Sequence, residues 1–140
     1  MKIVVGVDGS DPAGRAIAWC AAHAQSLDAE VVVVHAIDVA VIAPAMTSYV
    51  PLLQFEDVDR DEVREQVTGW CAPLAKAGVA HRVVVEDGDP AATIMRTANE
   101  ERADLIVIGR RGRGGFAELL LGGTSYALTH HLNRPLLILP

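Results

Sequence analysis

Five short segments rich in valine, isoleucine and leucine recur along the chain, and each is followed by a stretch of different rhythm. They are Ile3 to Val7, Val31 to Ala36, His81 to Glu86, Leu105 to Ile108 and Leu136 to Leu139. Most show no polar alternation and all are too short for a buried helix, so they read as strands covered on both faces. Between them the apolar residues fall at helical spacing. Ile17, Ala21 and Ala24 do so within 13–27, after Ser10-Asp11-Pro12, which offers a capping hydroxyl and a proline for the first turn. Val63, Val67, Trp70 and Leu74 do so within 57–76, where Pro73 should kink the last turn and Gly78 should stop it. Gly88-Asp89-Pro90 turns the chain into a helix facing inward through Ile94, Met95 and Ala98, and a glycine-rich stretch over 109–123 leads to a last helix ending near Leu132. Strand alternating with helix predicts an α/β protein with a parallel sheet and helices on both faces. Residues 37–55 have no period and contain Pro44 and Pro51, which suits a variable lid or a contact surface.

A chain of 140 residues suits one domain, spanning 1–140, that needs neither disulfide nor metal to fold. Aromatic residues are 4% of the chain against 51% hydrophobic, so valine, isoleucine, leucine and alanine must fill the core. The formal charge of −6 argues against nucleic acid as a partner, since phosphate-backbone binding wants a basic face. Cys20 and Cys71 have no CxxC spacing, the first residues lack the order of a signal peptide, and no apolar run could span a bilayer. A cytoplasmic, non-membrane protein with reduced cysteines is expected.

In a doubly wound sheet, ligands gather beyond the carboxyl ends of the strands. The segment there that is richest in chemistry is Gly109-Arg110-Arg111-Gly112-Arg113-Gly114-Gly115, with Gly122-Gly123-Thr124-Ser125 opening the next helix. Glycines let backbone N–H groups close around an anion, a helix N-terminus adds more, and hydroxyls and arginines stand nearby. A phosphate cradle is one reading; a solvated basic loop with glycines at its turns is the other. A Walker A loop is excluded, because the only lysines are Lys2 and Lys76 and neither lies in a glycine-rich stretch. The dinucleotide fingerprint is excluded because Gly6-Val7-Asp8-Gly9-Ser10 has the wrong spacing.

The spacing Gly109, two residues, Gly112, nine residues, Gly122 closely resembles the signature of the ATP-binding branch of the universal stress protein family. The likeness extends through Ile3-Val4-Val5-Gly6-Val7-Asp8-Gly9-Ser10, Val34-His35-Ala36, Gly88-Asp89-Pro90, Asp104 to Gly109 and Asn133 to Ile138. It implies an open, twisted, five-stranded, Rossmann-like sheet of order 3-2-1-4-5. By position it implies that Asp8 bonds the ribose or base, that Val7 and Ala36 line the adenine slot, and that Ile108 leads into a Gly109-Arg110-Arg111-Gly112-Arg113 backbone wrapping ribose and phosphates. Gly122, Gly123, Thr124 and Ser125 would then close on the β- and γ-phosphates of ATP, or of ADP or AMP, with Mg2+ on the phosphates.

Gly123 departs from the signature, which has Ser or Thr there, so γ-phosphate binding should be weakened. Phosphoryl transfer needs a positioned nucleophile besides charge stabilisation, and no residue offers itself as a base. Slow ATPase or autophosphorylation at Thr124 or Ser125 is the most that the resemblance allows. A dimeric interaction protein without nucleotide is the remaining alternative. The run Glu56, Asp57, Asp59, Asp61, Glu62, Glu65 reads as an acidic helix start, His130 and His131 as helix-end residues, and His35 as a packed, hydrogen-bonded histidine. The apolar strand Leu136 to Leu139 would leave a bare sheet edge, predicting a two-fold homodimer through it.

Overall fold

A computed structural model describes residues 1–38, 58–112 and 121–140. Its elements in chain order are β1 (Lys2–Gly6), α1 (Asp11–His23), β2 (Glu30–Ile37), α2 (Arg60–Trp70), α3 (Ala72–Lys76), β3 (His81–Asp87), α4 (Pro90–Glu100), β4 (Leu105–Gly109), α5 (Gly123–His131) and β5 (Leu136–Leu139). Each long helix but the last begins on a side-chain cap. Ser10 accepts from the Ala13 amide, Asp59 from Asp61 and Glu62, and Asp89 from Ala92, each an oxygen satisfying an amide the helix cannot.

The strands form one parallel sheet in the order β3-β2-β1-β4-β5, as the resemblance implied. One face carries Ile3, Val5, Val31, Val33 and Val107 against Ala16, Ile17 and Cys20 of α1 and Val67 and Leu74 of α2 and α3. The other carries Val4, Val32, Val34, Ile106 and Ile108 against Ile94 and Ala98 of α4 and Leu128 of α5. Successive strand residues point to opposite faces, so only a run apolar at every position can serve two helical layers. Each such side chain contributes roughly 1.5–3 kcal/mol on burial.

Two boundaries differ from the sequence pattern. The helix expected over 57–76 is two helices that part at Cys71, whose amide turns back to Thr68 O and whose thiol donates to Val67 O at 3.3 Å. Pro73 has no N–H to continue the ladder, so the axis breaks just ahead of it. The helix expected to reach Leu27 ends at His23, and the chain then turns through Asp28 at φ 49°. Gly78 stops α3 at φ 66°, as its position suggested. The segment expected to form a lid or contact surface lies, but for residues 37 and 38, outside the described residues, as do Glu56 and Asp57 of the acidic run. Among the described residues no helix is long and apolar enough to cross a membrane.

Candidate functional site

The chain steps outward from β1 through β2 to β3, then returns to β1's other side for β4 and steps outward to β5. Strand order reverses between β1 and β4, and in open parallel sheets it is beyond the carboxyl ends of such a strand pair, where the departing segments run in opposite directions, that a ligand crevice is expected. The registered pairs stop at Val5 and Val107. The site is therefore built from the turns that leave β1 and β4.

From β1, the Val7 amide donates to Val34 O at 2.9 Å, and Val7 O lies 2.8 Å from His35 Nδ1. A carbonyl only accepts, so that ring nitrogen carries a proton; the imidazole also meets Trp70 edge-on, with ring centroids 5.5 Å apart. The chain then turns through Gly9 at φ 80°, and the Ser10 amide donates to Asp8 Oδ1 at 3.0 Å. The other carboxylate oxygen faces Gly112, where a Cβ would collide with it.

From β4, Gly109 lies against the start of α1, so that a Cβ there would come within 2.6 Å of Pro12 Cβ and 2.8 Å of the Ala13 nitrogen. The next carbonyls bind the opening of α5. Arg110 O accepts from the Gly122 amide at 2.8 Å, and the Ser125 hydroxyl lies 2.9 Å from both Gly109 O and Arg110 O. Gly122 itself would place a Cβ 3.3 Å from Arg111 Cα. Of the signature glycines, Gly109 is required by its contact with the start of α1, Gly112 faces the Asp8 carboxylate, and Gly122 sits tightly against the 110–112 turn.

The helix so anchored is the one long helix among the described residues with no side-chain cap. Gly122 stands at its N-cap, Gly123 is exposed with nothing within 4 Å of a Cβ position, and Thr124 is half-buried. Its first amides carry the positive end of the helix dipole. Arg110, whose carbonyl accepts from the Gly122 amide, has its Nε buried without a hydrogen-bond partner. Donors for an anion are concentrated here.

The structure brings Asp8, Gly109, Arg110, Arg111, Gly112, Gly122 and Ser125 into one assembly. Ser125, expected to donate to phosphate, is 2% exposed, and its hydroxyl faces main-chain carbonyls of the loop. Those bonds tie α5 to the end of β4. Ile108 and Val7 are buried in opposite layers, so each can reach the crevice only by its backbone. Ala36 is half-buried on β2 in register with Glu86, and Arg113 lies outside the described residues. Two contributors escaped the sequence pattern. Ser10, expected only as a cap, also points its hydroxyl at Arg111 O across a long 3.5 Å, and Pro12 forms the floor under Gly109. Both contacts join residues from the two ends of the chain, and spacing carries no sign of them.

The opposite end of the sheet holds an open depression of about 530 Å³ lined by Met1, Lys2, Asp28, Glu30, Glu101 and Arg102, among others. Its charges neutralise one another: Lys2 Nζ lies 2.8 Å from Glu30 and 2.9 Å from Glu101, and the Lys2 hydrogen bond lowers the Glu30 pKa. It lies at the strands' amino ends, away from the crevice.

Residues 1–140 match the universal stress protein family. The chain is 31% identical over 144 aligned positions to universal stress protein YxiE of Bacillus subtilis, covering 98% of this chain and 97% of that protein. It is 32% identical over 137 positions to the Thermus aquaticus protein named "Universal stress protein in QAH/OAS sulfhydrylase 3'region", covering 97% and 96%. In fold it is similar to the universal stress protein from Archaeoglobus fulgidus solved in complex with dAMP, with a TM-score of 0.73 at 24% identity, covering 100% of this chain and 98% of that one.

Proposed function

The chain belongs to the universal stress protein family, and from that premise we propose that it is a nucleotide-binding regulatory module of the stress response, with the whole span 1–140 as its working unit. The observation that carries this reading is the uncapped start of α5, held beside the Gly109–Gly112 turn at the point where strand order reverses. Anions are stabilised by such unpaired amides and by the helix dipole. A protein of the same fold was solved with dAMP, which supports an adenine nucleotide as the ligand class.

In this reading Asp8 takes the ribose or base, the Val7 and Ala36 backbone edges line the adenine, and residues 109–113 wrap the sugar and first phosphate. The opening of α5, from Gly122 to Thr124, receives the phosphates. ATP would arrive with Mg2+ on its own phosphates, because that ion favours phosphate oxygens and water. Nothing described supplies a general base, so occupancy, read out through the shape of the 109–125 segment, is the signal, and any ATPase or autophosphorylation is a slow side reaction. The protein acts in the cytoplasm as a homodimer through β5, whose half-buried leucines form a sheet edge.

Calorimetric titration with adenine nucleotides, and mass spectrometry of the small molecule that co-purifies, test the ligand. A saturating nucleotide at 100 times its Kd should stabilise the fold by about 2.7 kcal/mol. No heat and no thermal shift with any adenine nucleotide would leave a dimeric interaction protein, the reading that Gly123 favours. Light scattering at micromolar concentration tests the dimer; a stable monomer refutes it.

A further inference from the structure

Resting on the nucleotide-binding function, we infer that His35 is a positioning residue of the site: its ring takes the Val7 carbonyl out of the β1–β2 ladder and so turns the Ala36 main chain over to the ligand.

The alternation of main-chain groups along β2 shows what the ring displaces. In a parallel pair one residue directs both its N–H and its C=O to a given neighbour, and the next residue directs both to the other. The Val31 amide donates to Ala80 O at 2.9 Å on the β3 side, and Val34 O accepts the Val7 amide at 2.9 Å on the β1 side. Odd-numbered residues of β2 therefore serve β3 and even-numbered ones serve β1. Ala36 is even, and the rung due next runs from its amide to Val7 O. That rung is not made. The paired register ends at Gly6 with Val34, one pair short of Val7 with His35. Val7 O lies instead 2.8 Å from His35 Nδ1.

Packing alone does not ask for this bond. The Ala36 amide could satisfy Val7 O by continuing the ladder, as backbone groups in a sheet ordinarily do. The imidazole is nevertheless held for the purpose, half-buried near the end of β2 with its edge against Trp70 at 5.5 Å between centroids. Trp70 ends α2 and packs on the sheet, which fixes the ring in turn. The parted strand ends stand where strand order reverses, since Val7 is followed by Asp8, whose carboxylate faces Gly112 of the β4 turn. There Ala36 turns a donor and an acceptor toward β1, the two kinds of group that the polar edge of a nucleobase meets. Without the ring the strands would zip through one more pair and close that edge.

Two substitutions separate the donor from the ring. His35→Phe keeps an aromatic face for Trp70 and has no donor, whereas His35→Asn keeps an N–H where Nδ1 stands and has no ring. Amide exchange followed by NMR reads the ladder, and calorimetry with AMP and ATP reads the site, both on the full chain. The Ala36 amide should exchange faster than the Val34 amide in the wild type and in His35→Asn. In His35→Phe, where the rung can form, it should slow toward the Val34 rate. Nucleotide should bind about tenfold more weakly to His35→Phe, the loss of about one hydrogen bond, and as in the wild type to His35→Asn. An Ala36 amide that exchanges alike in the wild type and His35→Phe overturns the proposal. So does a His35→Asn variant as weak as His35→Phe, because the ring and not its donor would then matter. Should His35→Phe fail to fold, a wild-type Ala36 amide as protected as that of Val34, or lost affinity in His35→Asn, still overturns it. Absence of heat and thermal shift with every adenine nucleotide in the wild type is a different failure, that of nucleotide binding itself, and the exchange rates tell the two apart.

Discussion

The carboxylate of Asp8 fills the space that a side chain on Gly112 would need. Oδ1 is tied to the Ser10 amide at 3.0 Å, Oδ2 abuts residue 112, and Asp8 Cγ would lie 3.4 Å from a Cβ built there. An acid at the end of the central strand and a glycine after its distant neighbour therefore define one another.

Gly112→Ala forces the acid off its turn, and overpacking of this kind typically costs about 1–3 kcal/mol. Chemical denaturation should show that loss, and Asp8→Gly placed in the same chain should return most of it. Such coupling is expected of residues in direct contact. Strictly additive effects of the two substitutions would mean that they do not compete for the same volume.

Gly109→Ala should be worse, because its neighbours are the ring and backbone of Pro12 and the Ala13 nitrogen, none of them a flexible side-chain end. A loss at the upper end of the same range, about 3 kcal/mol, is expected without any compensating single change on α1. An alanine variant that melts with the wild type would show that β4 and α1 can part at no cost.

Those two glycines mark where the sequence stops being legible. The strands were legible because each is a local apolar run, and the helix starts because Ser10, Asp59 and Asp89 act within three residues of themselves. Pro73 announced the break between α2 and α3. The glycine spacing located the loop, yet it could not say that Gly109 is demanded by Pro12, or that Ser125 turns inward to main-chain oxygens. Those are contacts between layers, and a hydroxyl's direction is set by the partner it meets after folding.

Thr97 is 3% exposed on α4, and its hydroxyl has no hydrogen-bond partner. A buried unsatisfied hydroxyl costs about 1–3 kcal/mol. Thr97→Val keeps the shape and removes the polar atom, so stability should rise by about 1 kcal/mol, roughly 3 °C in Tm for a chain of this length. A fall in Tm would reveal a partner for that oxygen.

Both cysteines should be silent toward thiol reagents at pH 8 in the folded protein and react once it is denatured. Burial pushes the Cys20 thiol from 9.0 up to about 12, and burial raises Cys71 as well. The thiolate is the nucleophile, so holding the proton suppresses attack. The folded pKa exceeds the unfolded one, hence stability is untouched below about pH 8.5 and declines as pH climbs toward 12. Rapid labelling of either thiol in native buffer would contradict its burial.

The most enclosed strand, β1, takes one neighbour from the segment just after it and the other, β4, from beyond α4. During synthesis it must wait with a naked edge while most of the protein is still being made. Ribosome-bound fragments that stop before Leu105 should accordingly stick to chaperones or to each other, and protection should appear abruptly once β4 has emerged.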